Sequence, residues 1–392
     1  MKKLLSIACM LTALVGRAWA QQLMFCVTNP TNHQRQEVVE APLETIKTRL
    51  GVSGNDQLVV KNSIGQQQAY QISYDGKLLV YVQVQPHSTT ELTISKGQPA
   101  TFKSFVFGKA YPERIDDLAW ENDRSAYRIY GPSLQRNGEK SYGTDVWTKS
   151  TQELVVENRY KMHLAGVALR DSLRKAGQGQ KSNDIYIATS FHHDHGDGMD
   201  VYSVGPSLGC GTPALMKDGL LVYPYCYKDY KILDNGPLRF TVQLIYHPNS
   251  DGIVEHRLIS LDRGSHYNKC TVWYDGIKEP MDWASGVVLN GNGEATLGKE
   301  YVLYADPTDN PKLNQSQIYV GTLFPNGVKR TTTYKGNKNH GLGIVNKYLG
   351  QNYTYYFGSA WSCYDVRTME EWELLATQYL QNIKNPLITE IR

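Results

Sequence analysis

The sequence predicts an all-β protein closed by one C-terminal helix, and three observations carry that reading. Apolar and polar residues alternate with period two along most segments, as in Tyr70-Gln71-Ile72-Ser73-Tyr74 and Leu78-Leu79-Val80-Tyr81-Val82-Gln83-Val84. Asp75-Gly76 separates those two runs, and because both positions tolerate positive φ, the dipeptide marks a hairpin. The helix signal lies at Thr368, where Glu371 three residues on completes a capping box. Met369, Trp372, Leu375, Ala376 and Tyr379 then share one face, suited to docking on a sheet.

The elements follow in order. Lys2 and Lys3 precede an apolar run from Leu4 to Val15, and Ala18-Trp19-Ala20 places small residues where a signal peptidase reads. Residues 1–20 are therefore predicted to be a signal peptide, giving a periplasmic or otherwise exported protein that begins at Gln21. Residues 22–106 read as an N-terminal β-sandwich portion, and residues 107–392 as the portion that carries the chemistry. In the latter, strands are predicted over 127–130, 184–191, 238–246, 254–261, 269–274 and 286–289, with a helix over 160–175. Pro386 ends the C-terminal helix, after which Leu387-Ile388-Thr389 returns as a last strand. No later run approaches the roughly eighteen apolar residues of a membrane span.

Forty-one basic and 38 acidic residues leave a net charge of +3, dispersed without a basic block, so nucleic acid is excluded as the main partner. Of six cysteines, Cys9 leaves with the signal, and no CxxC pair remains to build a zinc knuckle. Cys210 and Cys226 are close enough in sequence to be a candidate disulfide, with the pairing left open. Twenty-seven tyrosines against eight phenylalanines favour surfaces that are flat, apolar and tipped with hydroxyls, which suit a polar ring-shaped ligand as well as exposed strands.

Residues suited to chemistry concentrate in four places. In the first, Arg124, Ala126, Arg128 and Tyr130 project to one side of a strand. Two arginines on one sheet face need anions, either a ligand carboxylate or internal partners such as Glu121 and Asp123. In the second, Phe191-His192-His193-Asp194-His195-Gly196-Asp197-Gly198 ends a predicted strand. Period two puts His193 and His195 on one face and His192 with Asp194 on the other. The glycines let the chain turn toward Tyr202, and histidine is the side chain whose proton moves most readily near neutral pH. His193 and His195 are therefore candidate bases and Tyr202 a candidate acid. No cofactor is expected, although a divalent metal near His195, Asp197 and Asp200 stays open as a second reading. The glycine-rich 204–211 segment lacks the lysine of a nucleotide loop. In the third, Arg263 and His266 stand at the turn beyond a strand; the fourth is the aromatic set of Trp147, Trp283 and Tyr353–Tyr356. Trp120, Arg124, Arg128, Trp147, Arg263 and His266 form the candidate substrate-binding set.

The stretch DDLAWENDRSAYRIYGP at 116–132, GTDVW at 143–147 and DHGDGMDVYSVGPSLGCG at 194–211 together resemble a Bacteroidetes family of exported proteins catalogued as a domain of unknown function. Its members accompany polysaccharide-degrading enzymes, and some are similar to oligosaccharide dehydratases acting on terminal uronic acids. The resemblance covers nearly the whole mature chain and implies a β-supersandwich of the galactose-mutarotase-like type. It also implies elimination of water, or of a sugar, from a terminal uronic acid. Such a reaction removes the C5 proton, so it needs a cation on the adjacent carboxylate, a base, and a donor for the leaving oxygen. The alternatives are a glycoside hydrolase built on Glu121, Asp123, Asp194 and Asp200, an epimerase or mutarotase, and a non-catalytic sugar-binding module. The expected partner is an anionic oligosaccharide.

Overall fold

The computed structural model describes residues 21–54, 56–307 and 316–392, so the predicted signal peptide lies outside the described residues. The expectation of an all-β sandwich with a C-terminal helix is met. An eight-stranded antiparallel sheet and a five-stranded one enclose the main core, which includes Val242, Leu244, Val272, Trp283, Val287 and Phe357. A four-stranded sheet of Asp145–Trp147, Ala126–Ile129, Asp117–Glu121 and Phe107–Tyr111, in that order, packs against them. Trp120 and Phe240, stacked at 6.0 Å, join its core face to the eight-stranded sheet.

The N-terminal strands make a separate small sandwich of five- and three-stranded sheets around Phe25, Val39, Ile46, Val80 and Ile94. Its outermost strand comes from the other end of the chain, since Ile388–Ile391 pairs antiparallel with Gln22–Thr28. The C-terminal helix, Met369–Lys384, starts where Thr368 Oγ1 accepts the Glu371 amide at 3.2 Å. It buries Trp372, Ala376 and Leu380 against Tyr267, Leu303 and Leu323.

Two features depart from the sequence reading. Residues 184–191 are not a strand: Gly179–Thr189 is a helix, packed antiparallel on the longer helix Val156–Lys175. Gly166 of the long helix has no room for a side chain, because a Cβ there would lie 1.9 Å from Thr189 Oγ1. That close approach, with Ser182 Oγ donating to the Arg170 carbonyl at 3.0 Å, favours the helical pairing over the strand propensity of Ile185-Tyr186-Ile187. Cys210 and Cys226 are both buried free thiols, so the candidate disulfide is absent. Among the described residues no helix is long and apolar enough to cross a membrane.

Candidate active site

Strand register builds the site. In the four-stranded sheet Arg128 lies opposite Asp145 on one neighbour and opposite Ala119 on the other, and Asp117, two residues from Ala119, shares its face. The Arg128 guanidinium therefore meets carboxylates from both sides. Nη2 is 2.5 Å from Asp145 Oδ2, and Nη1 is 3.6 Å from Asp117 Oδ2. Asp200, from the loop after the helical hairpin, adds a third carboxylate 2.9 Å from Nη2. Trp147 Nε1 donates to Asp145 at 3.1 Å, the Tyr160 hydroxyl donates to Asp117 at 3.0 Å, and all four charged groups are buried.

Three buried carboxylates around one cation leave an excess of negative charge that burial opposes. Burial, and next the charge of Asp200, push the Asp145 carboxyl up to about 7 despite Arg128. Burial raises Asp200 and Asp117 as well. It also works against the charge on Arg128, but Asp200, Tyr130, Asp145 and Asp117 outweigh it and hold the guanidinium protonated.

Phe191, buried, is the hub beside this cluster. His163 of the long helix stacks on it at 4.0 Å, Trp147 lies at 4.9 Å, and the guanidinium carbons of Arg128 and Arg114 sit 5.8 and 5.9 Å from its centre. His192 follows it in the chain and keeps 40% of its side chain exposed. His192 Nδ1 is 2.6 Å from the Asp200 carbonyl, which only accepts, so Nδ1 carries the proton and Nε2 the lone pair. Burial lowers the His192 pKa, and burial with the nearby His192 and Arg114 charges lowers His163 to about 4. Both rings are neutral at neutral pH.

The loop carrying His192 is tightly held. Asp194 Oδ1 accepts the amides of Gly196 and Gly198 at 2.8 and 2.9 Å, and the Asp200 amide donates to the Phe191 carbonyl at 2.8 Å. Gly198 has φ +103°, and a Cβ there would lie 2.2 Å from the Thr148 carbonyl. Arg159, buried in the long helix, donates to the Thr148 carbonyl at 3.1 Å and pairs with Asp197 at 3.2 Å. On the other side, Ile115 and Asp116 both adopt positive φ, a strained turn fixed by Tyr227, whose hydroxyl donates to the Asp116 carbonyl at 2.6 Å. That turn presents Arg114, whose Nη1 is buried without a hydrogen-bond partner. No ion pair reaches Arg114 among the described residues.

The residues singled out from sequence divide between this site and other places. Arg128 and Trp147 belong to it. Arg124 does not, because it precedes the strand in a turn where Asn122 Oδ1 accepts its amide at 2.9 Å. Its guanidinium pairs with Asp365 at 2.8 Å, and His266 Nε2 lies 3.0 Å from the same carboxylate. Arg263 is stacked between Tyr81 and Phe105, its guanidinium carbon 4.3 and 3.8 Å from the ring centres, near the N-terminal sandwich. Trp120 is core, donating to Asn268 at 2.7 Å. Tyr202 is packed into the main core with an unpartnered hydroxyl, whereas Tyr130 lies beside Arg128 and is only partly buried.

His193 and His195 leave the site because their segment is not a strand. His193 packs edge-on against Tyr186 at 5.3 Å, and His195 is exposed with Nε2 3.0 Å from the Ser190 carbonyl. His195, Asp197 and Asp200 face Ser190, Arg159 and Arg128 respectively, so they do not converge as a metal set. The carboxylates proposed for hydrolysis are also dispersed. Glu121 is buried 2.6 Å from Lys149 and caps the long helix through the Val155 and Val156 amides, while Asp123 accepts the Gly264 amide at 2.7 Å.

Sequence reading missed Arg114, His163, Asp145 and the outward role of His192. GTDVW marked Asp145, and the turn-forming Ile115-Asp116 marked the bend before Asp117. A lone histidine on a helix, as His163 is, gives no signal of its own.

The family model described as a domain of unknown function, DUF4861, matches residues 27–388. A curated relative from Formosa agariphila, named uncharacterized protein P7, is 26% identical over 339 residues, covering 80% of this chain and 78% of its own. Among solved structures, a glycosyl hydrolase family 38 protein from Enterococcus faecalis superposes with a TM-score of 0.52 at 9% identity over 95% of this chain. The chain spans 47% of that structure's length, and the likeness is one of fold.

Proposed function

Because the chain belongs to the DUF4861 family, whose description assigns no activity, we propose a function from the site: a carbohydrate-active enzyme that eliminates water, or a sugar, from a terminal uronic acid. The observation that carries the reading is the meeting of an unpaired arginine, a neutral histidine with a free ring nitrogen and a protonated phenol around one buried cluster. The three stretches of sequence that carry the family resemblance supply most of it: Asp117, Arg128 and Tyr130 from the first, Asp145 and Trp147 from the second, Asp200 from the third.

In this reading Arg114 pairs with the substrate carboxylate and so acidifies the C5 proton. His192 Nε2 takes that proton, the C5–H electrons form the C4–C5 double bond, and the C4 oxygen leaves with a proton. Tyr130 is the donor: its oxygen accepts from Arg128 Nη2 at 3.1 Å, which leaves its own proton free, and burial keeps the phenol protonated. The carbonyl of Asp200 orients the imidazole. Because His192 holds a lowered pKa, it stays a base to lower pH than an ordinary histidine. The signal peptide expected from the sequence of residues 1–20 adds export to the proposal.

One observation favours a second reading. Asp145 and Asp200 share Arg128 Nη2, and a carboxyl lifted to about 7 beside an ionised one is the pairing a glycosidase uses. Incubation with uronate-ended oligosaccharides, read by mass spectrometry, separates the two. Loss of water or release of an unsaturated sugar supports elimination. Uptake of water on cleavage supports hydrolysis, and an unchanged panel sinks both.

A further inference from the structure

At one end of the main sandwich, where the two sheets part, lies a pocket of about 310 Å³, at the small end of the range for ligand sites. Two loops form its rim: Tyr223-Pro224-Tyr225 before the strand Tyr227–Gly236, and His247-Pro248-Asn249-Ser250 after the strand Arg239–Tyr246. Tyr225 and His247 face each other at 6.2 Å across the rim, and Tyr225 is half exposed. Below them stand Tyr246, Tyr274 and Glu255.

The floor is polar where a sandwich interior is ordinarily apolar. Arg257, buried, pairs with Glu255 through Nε, and the Tyr274 hydroxyl donates to Glu255 at 2.9 Å. The Arg257 guanidinium carbon lies 4.2 Å from the ring centre of Tyr246. Arg257 Nη2 and the Tyr246 hydroxyl are both buried without a hydrogen-bond partner. Replacing such a buried pair with apolar residues commonly costs nothing, so stability alone does not account for it. Of the two unpartnered groups, Tyr246 lines the pocket, and its unpaired hydroxyl is a cost that a hydroxylated guest can offset.

We propose that this pocket is a second glycan subsite, holding one neutral pyranose ring between the Tyr223–Tyr225 and His247 walls, with its hydroxyls toward Glu255 and Tyr246, which line it and are backed by Arg257. The carbohydrate reading above supplies the ligand class; the pocket supplies the rest. The pocket favours a neutral ring because its lining holds no lysine or arginine, and the one carboxylate in it is already matched by Arg257. One link runs from the pocket toward the active site: Tyr223 stacks at 5.5 Å on Tyr142, three residues before Asp145 in the chain. A chain bound with its uronate at Arg114 and a neutral unit here would use both.

Saturation-transfer NMR with neutral methyl pyranosides (gluco, galacto, manno, xylo and rhamno) and methyl glucuronide tests this. At least one neutral probe receives saturation in the wild type. Tyr225→Ala and Glu255→Gln each weaken that binding at least about tenfold, with thermal melts confirming the fold, and His192→Ala leaves it unchanged. No transfer to any neutral probe, or equal transfer in both pocket variants, overturns the subsite. Elimination by a protein that fails this test leaves the proposed function standing. Neutral-probe binding by a protein that eliminates nothing leaves the subsite standing alone.

Discussion

Arg124 and Arg128 are four residues apart, and the structure gives them opposite surroundings. Arg124 is 23% exposed and makes one pair, with Asp365, which His266 also contacts. Arg128 is 5% exposed and faces three carboxylates, all buried. At Arg124 charges match locally and solvent screens the rest, an arrangement worth little to stability. At Arg128 the carboxylates outnumber the cation, so protons and charges redistribute. Burial and, next, the charge of Asp200 raise Asp145, while Arg114, over the same Phe191 ring as Arg128, makes no ion pair among the described residues. The lesson is that the arginine fully engaged by the protein is the one at the cluster, and the clamp proposed for the substrate is a neighbour that sequence did not mark.

The contrast predicts a large separation in rate. His192→Ala removes the positioned base and lowers kcat by about two to four orders of magnitude with the fold intact. His193→Ala and His195→Ala, outside the cluster, change it by less than a few-fold. Equal losses in all three would return the base to the sequence-based assignment.

Stability separates the two arginines next. Arg128→Ala strands three buried carboxylates and should cost about 3–5 kcal/mol in denaturant unfolding. Arg124→Ala should cost about 0–1 kcal/mol, as exposed pairs do. Arg114→Ala should cost less than Arg128→Ala, because Arg114 makes no ion pair among the described residues and acts on Asp117 and Asp200 only at longer range. It raises KM for uronate-ended substrates by about ten- to a hundredfold, the worth of a charged hydrogen bond, and leaves neutral ligands unaffected. Comparable losses for neutral and anionic ligands would make Arg114 structural.

How much of this was legible in the sequence follows from what each residue depends on. The β class, the Asp75-Gly76 hairpin and the Thr368 cap are local effects, and each appears as read. The three convergent stretches were also visible, with Arg128, Trp147 and Asp200 among their residues. What failed was the geometry between them. Ile185-Tyr186-Ile187 reads as strand, yet the helical pair forms because Gly166 admits Thr189, a contact between residues 23 positions apart. With the strand gone, period two no longer sorts the histidines, and His192 rather than its neighbours faces the site. Arg124 failed for a related reason: the strand starts at Ala126, and Asn122 turns the chain just before it.

The smallest effect, and the one that tests the charge surplus directly, is the pH dependence of stability in two substituted proteins. Asp145 has a folded pKa raised from 3.8 to about 7, first by burial and next by Asp200. Its stabilising contribution is therefore fully present below about pH 4 and is lost as pH rises through 7, since the folded state holds the proton more tightly. Asp365 is the reverse. Burial opposes its charge, but His266 and Arg124 lower its pKa below 3.8, so its contribution is present above that value and is lost as pH falls through the folded one. Asp145→Asn should then gain stability relative to wild type between pH 4 and 7, by at most about 1.4 kcal/mol per pH unit for one proton. Asp200, raised by burial, acts with the same sign in both proteins. Asp365→Asn should be less stable than wild type above pH 4, with the difference closing on further acidification. Urea unfolding of the three proteins across pH 3–8 measures both. Two difference curves of the same sign would mean that the three carboxylates around Arg128 carry no surplus, and that the two regions are electrostatically alike.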